Sequence, residues 1–334
     1  MSGRRTLVTG GAGFIGSHLV DRLIADGRAV TVLDDFSSGE RDNLADAERT
    51  GALRLIDGSI LDRDAVAAAI DGCDEVFHLA VQCVRRSLGQ PIENHDVNAT
   101  GSLNVLEAAR RARVRRFVYC SSSEVYGNAS TGLLDEDRTP CEPMTVYGAA
   151  KLAGELYAKA YHRTYGLPTV VVRPFNAYGP REHDRGDLAE VIPRFVIRVL
   201  NGLPPVIFGD GSSGRDFTYV TEIADGLVRA AGCDALIGGV VNLARGELVT
   251  IRQVAETVVE LLQRPHLAPT LAPPRPGDVH ILRADTSKAR DVLGYRAQVD
   301  FRAGMERYLD WFTHRYPDPS SLLESEVTNW TMPE

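Results

Sequence analysis

The sequence predicts an α/β fold: a Rossmann-type, doubly wound parallel sheet with a smaller, loop-rich C-terminal region that completes a cleft. Three observations carry this expectation. Short apolar runs alternate with helical stretches through the first half of the chain, as strands and their crossover helices do. Those runs are nearly continuous in β-branched residues, which suits strands covered on both faces. After Pro174 glycine and proline become frequent, in 174–181, 202–205, 209–214 and 269–277, and the regular alternation stops.

Taken in order, 6–9 reads as a strand and 16–26 as a helix with Leu19, Leu23 and Ile24 on one face. Residues 29–33 form a second strand and 53–56 a third. A helix at 64–70 leads to a strand at 75–78, and a long helix at 98–113 to a strand at 117–120. A second long helix, 149–165, precedes a strand at 169–173. Beyond it, helices at 191–200, 222–231 and 251–262 are joined by irregular connections. The expected division is a sheet-forming region at 1–175, rejoined by part of 216–250, a smaller region mainly at 176–315 that completes a cleft, and a polar, loosely held tail at 316–334.

Composition narrows the classes of function. The chain has 334 residues, a net charge of −8, 44% hydrophobic and 25% charged residues, which is ordinary for a soluble globular protein. An acidic balance speaks against nucleic acid as a partner, because phosphate backbones are met by basic faces. No apolar run reaches the roughly 18–20 residues of a membrane span, and no signal-peptide core follows Met1, so the expected place is the cytoplasm. Five cysteines (73, 83, 120, 141 and 233) form an odd set without CxxC, and the eight histidines are scattered without HExxH. Neither a disulfide framework nor a metal site is expected. Of the 37 basic residues only Lys151, Lys159 and Lys288 are lysine. Codon bias accounts for that most simply, but a retained lysine also marks a position that needs a compact, tunable ammonium.

Residues 9–16 read TGGAGFIG, which places Gly10, Gly13 and Gly16 between a strand and a helix. Glycines there permit a tight turn, let backbone approach a pyrophosphate and allow close helix–strand packing. The helix N-terminus adds amide donors. Such spacing alone is weak, since a glycine-rich turn is often only a turn. Asp34, at the end of the second strand and 18 residues past Gly16, strengthens it, because a carboxylate there accepts hydrogen bonds from an adenosine ribose and repels a 2′-phosphate. NAD is therefore favoured over NADP.

Tyr147 and Lys151 in YGAAK stand one helical turn apart on one face. A tyrosine near pKa ~10 is a poor base at neutral pH, and a nearby cation favours its phenolate. A surface Tyr–Lys pair fits the same spacing. Upstream, CSSSEVYG at 120–127 follows a strand, so its hydroxyls emerge at the carboxyl edge of the sheet, where doubly wound folds hold ligands.

TGGAGFIGSH, FHLA, SSSEVYG, YGAAK, RPFNAYGPR, GRDFTYV and RPGD occur in order between residues 9 and 278, within a likeness that covers about residues 4–312. In this the chain resembles the extended short-chain dehydrogenase/reductase family, in its nucleotide-sugar epimerase/dehydratase branch. The resemblance implies a tightly held NAD that takes a hydride from carbon 4 of a nucleotide-linked sugar and later returns it. It implies Tyr147 as base, Lys151 as its activator and Ser122 as partner of the same sugar oxygen. The cofactor pocket maps onto Gly10, Gly13, Phe14, Ile15, Gly16, Asp34, Ile60, Leu79, Ala80, Asn98 and Lys151. Ser59 departs from the family's usual Asp beside adenine. The nucleotide-sugar side maps onto Ser123, Asn176, Val191, Val206, Phe208, Arg215 and Arg275, with Asp278 near the ribose. Guanidinium forks suit a diphosphate, although Arg215 could pair with its neighbouring Asp and Arg275 could be a solvated loop residue.

Which chemistry follows oxidation depends on what lies beside Tyr147. The Asp–Glu pair of glucose-type 4,6-dehydratases is replaced here by Ser123–Glu124, a pair also found in GDP-mannose dehydratases and UDP-glucuronate decarboxylases. VIPRF at 191, VIFGDG at 206 and VRRS at 84 resemble bacterial sugar 4-epimerases. The leading expectation is a 4-epimerase; elimination or decarboxylation through Glu124 is the alternative. Arg85 or Arg86, after FHLA, is a candidate partner for a sugar carboxylate, and a solvated arginine pair is the plainer reading. A catalytically silent NAD-binding sensor is the reading from another class, and the intact Ser122, Tyr147 and Lys151 speak against it. The long helices correspond to those through which relatives form homodimers, while Leu103, Val105, Leu106, Leu152 and Leu156 fit burial on the sheet equally well.

Overall fold

A computed structural model describes residues 4–129 and 132–332. Seven parallel strands make the main sheet: β1 (Arg5–Thr9), β2 (Ala29–Asp34), β3 (Leu53–Asp57), β4 (Glu75–His78), β5 (Arg116–Cys120), β6 (Thr169–Pro174) and, at the far edge, Val240–Leu243. Their spatial order is 3-2-1-4-5-6 followed by Val240–Leu243. That is the doubly wound order, with its reversal between β1 and β4. Register aligns the carboxyl ends there, with Thr9 opposite both Leu33 and His78. The segments that follow Thr9, Leu33 and His78 therefore converge on one crevice.

The helices cover both faces because each carries one apolar stripe. Leu19, Val20 and Leu23 of the Phe14–Ala25 helix share a core with Ile223, Ala224 and Leu227 of the Val220–Gly232 helix. On the opposite face Val66, Ala69, Val105, Leu106 and Ala109 pack against Leu7, Val76 and Phe117. A separate core joins the helices Val191–Leu200, Ile251–Leu261 and Phe301–Arg315. The last of these escaped the sequence reading, although Met305, Tyr308, Leu309 and Phe312 recur at helical spacing and Asp300 caps its first turn by accepting from the Ala303 amide.

Other boundaries differ for local reasons. The first helix begins at Phe14 rather than 16, because Gly13 already has the extended backbone of an N-cap. The long helix after it in the site begins at Val146 rather than 149, capped by Thr145, which accepts from the Gly148 amide at 3.2 Å. The 98–113 helix is divided into a π-turn at Asp96–Gly101 and a helix at Ser102–Ala112. The tail, expected to be loosely held, lies against the second core instead. Leu322 is buried, Arg194 donates to the Val327 carbonyl, and the Trp330 ring meets Phe208 edge-on at 4.6 Å.

Candidate active site

The glycine turn shows why two of its glycines cannot be replaced. Gly10 has φ +70°, and a Cβ there would lie 2.6 Å from the Ala80 nitrogen. At Gly16 a Cβ would lie 2.0 Å from the Gly10 carbonyl oxygen, so the helix sits directly on the turn. The helix carries no side-chain cap and no acid in its first turn. Its leading amides and dipole thus suit an anion. Asp34 accepts the Ala12 amide at 2.8 Å and the Phe36 amide at 3.0 Å. Burial nevertheless raises its carboxyl above the ordinary value, against the pull of those two bonds.

A cavity of about 1410 Å³, counting its open mouth, runs along this edge of the sheet. Gly10, Gly13, Phe14, Ile15, Gly16, Asp34, Ile60, Leu79 and Ala80 line it, together with Ser122, Ser123, Glu124, Tyr147, Lys151 and Asn176. The turn, the Asp34 carboxylate and the phenol thus line one continuous space. Two predicted cofactor residues stand back from it. Asn98 is buried, accepting from the Gln82 amide and donating to the Gln82 carbonyl, both at 2.9 Å, and so braces the 81–83 loop. Ser59 accepts the Leu61 amide at 3.3 Å.

Tyr147 occupies the first turn of the Val146–Tyr165 helix, and Lys151 follows one turn later. Burial pushes the Tyr147 phenol up, and the neighbouring Ser122 hydroxyl works against that. Burial pulls Lys151 down to about 8. Its ammonium lies 4.7 Å from the centre of the Tyr119 ring, and the Tyr119 hydroxyl donates to the Lys151 carbonyl at 3.2 Å. Ser121 is structural: its hydroxyl donates at 2.5 Å to Glu155, one turn beyond Lys151. Burial also raises the Glu124 carboxyl, with Arg215 and Arg275 opposing the shift.

In the second region Arg215 and Arg275 converge on one oxygen of Asp278, at 2.9 and 2.6 Å. Two guanidiniums against one carboxylate leave a net positive charge, as a diphosphate requires. Arg215 is not paired with its neighbour Asp216, whose carboxylate instead accepts the Arg245, Gly246 and Ala284 amides. Burial lifts Asp216 to about 7 against those bonds. Val191 and Val206 lie half-buried at the edge of the second region, and Phe208 is covered by Trp330. The Asn176 amide oxygen is buried with no partner among the described residues, so it has a free acceptor to offer a ligand.

Arg85 departs from its expected role. It is buried behind the 187–190 loop, with Nε donating to the Asp187 carbonyl at 2.7 Å and Nη2 to the Leu188 carbonyl. It also pairs with both Glu190 oxygens at 3.1 Å. Arg86 is held by Asp187 at 2.7 and 3.3 Å. Neither is free for a sugar carboxylate, because the loop after Tyr178 closes over them. Three cavity-lining residues, Cys83, His183 and Glu190, escaped the sequence reading. Each lies in an irregular segment without a spacing signal.

The turn, the phenol–ammonium pair and the paired guanidiniums define a class of protein. Residues 6–244 match the model of the NAD-dependent epimerase/dehydratase family, and the chain belongs to that family. Among its relatives, the UDP-glucose 4-epimerase of Mycolicibacterium smegmatis is 40% identical over 93% of this chain and 99% of its own. A UDP-N-acetyl-α-D-glucosaminuronate decarboxylase of Bacillus cytotoxicus is 32% identical over 92% of this chain and 98% of its own. The solved dTDP-glucose 4,6-dehydratase of Streptomyces venezuelae, with NAD bound, superposes with a TM-score of 0.90 at 32% identity, covering 96% of this chain and all of that one. No helix among the described residues is long and apolar enough to cross a membrane, and no cluster of metal-ligating side chains occurs among them.

Proposed function

We propose that the chain is a nucleotide-sugar 4-epimerase that works through a transient 4-keto sugar. The 10–16 turn and Asp34 would hold NAD, which when bound would supply the acceptor for the C4 hydride and its source on return. The protein's part is the proton on the sugar's O4. The Tyr147 phenolate takes that proton, the Ser122 hydroxyl holds O4, and the Lys151 ammonium stabilises the phenolate. Return of the hydride to the opposite face of C4, and of the proton from Tyr147 to O4, gives the epimer. Residues 1–175, with the returning strand, hold the cofactor, and 176–315 hold the nucleotide. Leu103 and Leu156, 36% and 56% exposed on the two long helices, support a homodimer through those faces, whereas Val105 and Leu106 are spent on the sheet.

The observation that carries this reading is the catalytic neighbourhood itself. Tyr147, Ser122 and Lys151 line one cavity with the glycine turn, and the resemblance puts Ser123 where glucose-type dehydratases carry their acid. The identity to a 4-epimerase supports it further. Glu124 favours a second reading, dehydration or decarboxylation, because its carboxyl lines the same cavity and burial keeps it prone to protonation. Incubation with a panel of nucleotide sugars, resolved by mass spectrometry, separates the two. A product isomer of unchanged mass is expected; loss of water or carbon dioxide would transfer the assignment to Glu124.

A further inference from the structure

We propose that the sugar end of the cavity takes an uncharged hexose and rejects a uronate, an inference that rests on the nucleotide-sugar reading. A sugar carboxylate needs a cation or a convergence of donors to replace its hydration. Beyond the glycine turn the cavity lining offers Ser122, Ser123, Cys83, Asn176 and His183, and two acidic side chains, Glu124 and Glu190. Burial pushes the His183 imidazole below its ordinary value, so it adds no charge at neutral pH.

The nearby cations are all committed. The Lys151 ammonium faces the Tyr119 ring at 4.7 Å, and Arg215 and Arg275 are gathered on Asp278 at the diphosphate end. Arg85 stands directly behind Glu190. Four of its five N–H donors are spent on the Asp187 and Leu188 carbonyls and on both Glu190 oxygens. Burial works against the Arg85 charge, but the Glu190 carboxylate more than offsets it, which holds the pair ionised. The cavity therefore sees the acidic partner and not the guanidinium. A uronate would share a partly enclosed space with the ionised Glu190 carboxylate, where like charges interact strongly.

The test is equilibrium binding to the NAD-loaded Tyr147→Phe variant, in which turnover does not blur affinity. The probes are UDP-glucose and UDP-glucuronate, with UDP as the reference. UDP-glucose should bind at least tenfold more tightly than UDP-glucuronate; equal affinity, or preference for the uronate, overturns the proposal. Adding Glu190→Gln, which leaves Arg85 without its counter-charge, should shrink the ratio at least tenfold, and an unchanged ratio also overturns it. The comparison in the parent variant stands even if Glu190→Gln does not fold. Product mass from the wild-type protein and UDP-glucose is read separately. Dehydration there would remove the epimerase reading and leave the neutral-sugar preference intact.

Discussion

Glu155 and Arg173 form a two-point ion pair in the interior beneath the catalytic helix, at 2.8 Å from Nε and 2.7 Å from Nη2. Neither residue is more than 2% exposed. The Glu155 oxygen that meets Nε also receives the Ser121 hydroxyl, and the guanidinium lies 4.6 Å from the Tyr126 ring centre. The pair thus ties the SSSEVYG segment, the YGAAK helix and β6 together behind the reacting phenol.

Breaking that pair from one side strands a buried charge. Glu155→Gln should cost about 3–5 kcal/mol of stability, read as a large fall in the denaturant midpoint. The double variant Glu155→Gln, Arg173→Met should be more stable than the single one. If the double variant is the worse of the two, the pair is a net stabiliser and the desolvation argument fails.

Tyr147→Phe removes only the phenolic oxygen from a site whose cofactor contacts lie elsewhere. Turnover should fall roughly a thousandfold or more, within the range of a lost general base plus its orienting contacts, while NAD copurifies undiminished. Loss of NAD together with turnover would show that the variant disturbs the fold of the site.

Lys151 is a stability cost in the cofactor-free protein. Its folded value of about 8 lies below the ordinary lysine value. Between the two the unfolded chain holds a proton that the folded chain has released, so stability rises with pH across that window. Below it the full cost is present, on the order of 3 kcal/mol. Lys151→Met should therefore melt higher than the wild type at pH 7, with the advantage fading by pH 10. Calorimetry of the cofactor-free proteins at the two pH values decides it.

Glu124→Gln separates the two chemistries. For a 4-epimerase the change should lower kcat less than about tenfold, because no step needs its proton. A fall of a thousandfold, the scale of a lost acid–base group, would assign it to elimination.

Leu103→Arg with Leu156→Arg should convert a dimer to a monomer in sedimentation, because two charges would replace apolar contact at the centre of the helical face. Secondary structure should be kept, since both side chains point away from the core. A wild-type protein that sediments as a monomer would remove the homodimer proposal.

The strand–helix alternation of the first half, the glycine turn, Asp34 and the Tyr147–Lys151 spacing were all legible in the sequence. They are local: a turn, a strand end or one helical period fixes each of them within a few residues. The Phe301–Arg315 helix escaped that reading although Met305, Tyr308, Leu309 and Phe312 carry its period, because it lies beyond the glycine- and proline-rich connections where the alternation stops. Arg85 was not legible, since nothing in VRRS tells whether a guanidinium faces a ligand or a loop some hundred residues away. Only the closure of the 183–190 segment over Arg85 made that choice, and with it turned the acidic side of the Arg85–Glu190 pair toward the cavity. Asp216 is a parallel case: sequence places it beside Arg215, yet the fold gives it three backbone amides and leaves Arg215 to Asp278. Sequence determines what chemistry a segment carries because propensity and spacing act locally. Which charges remain free is a property of packing, because a charge is spent only when a distant segment arrives to neutralise it.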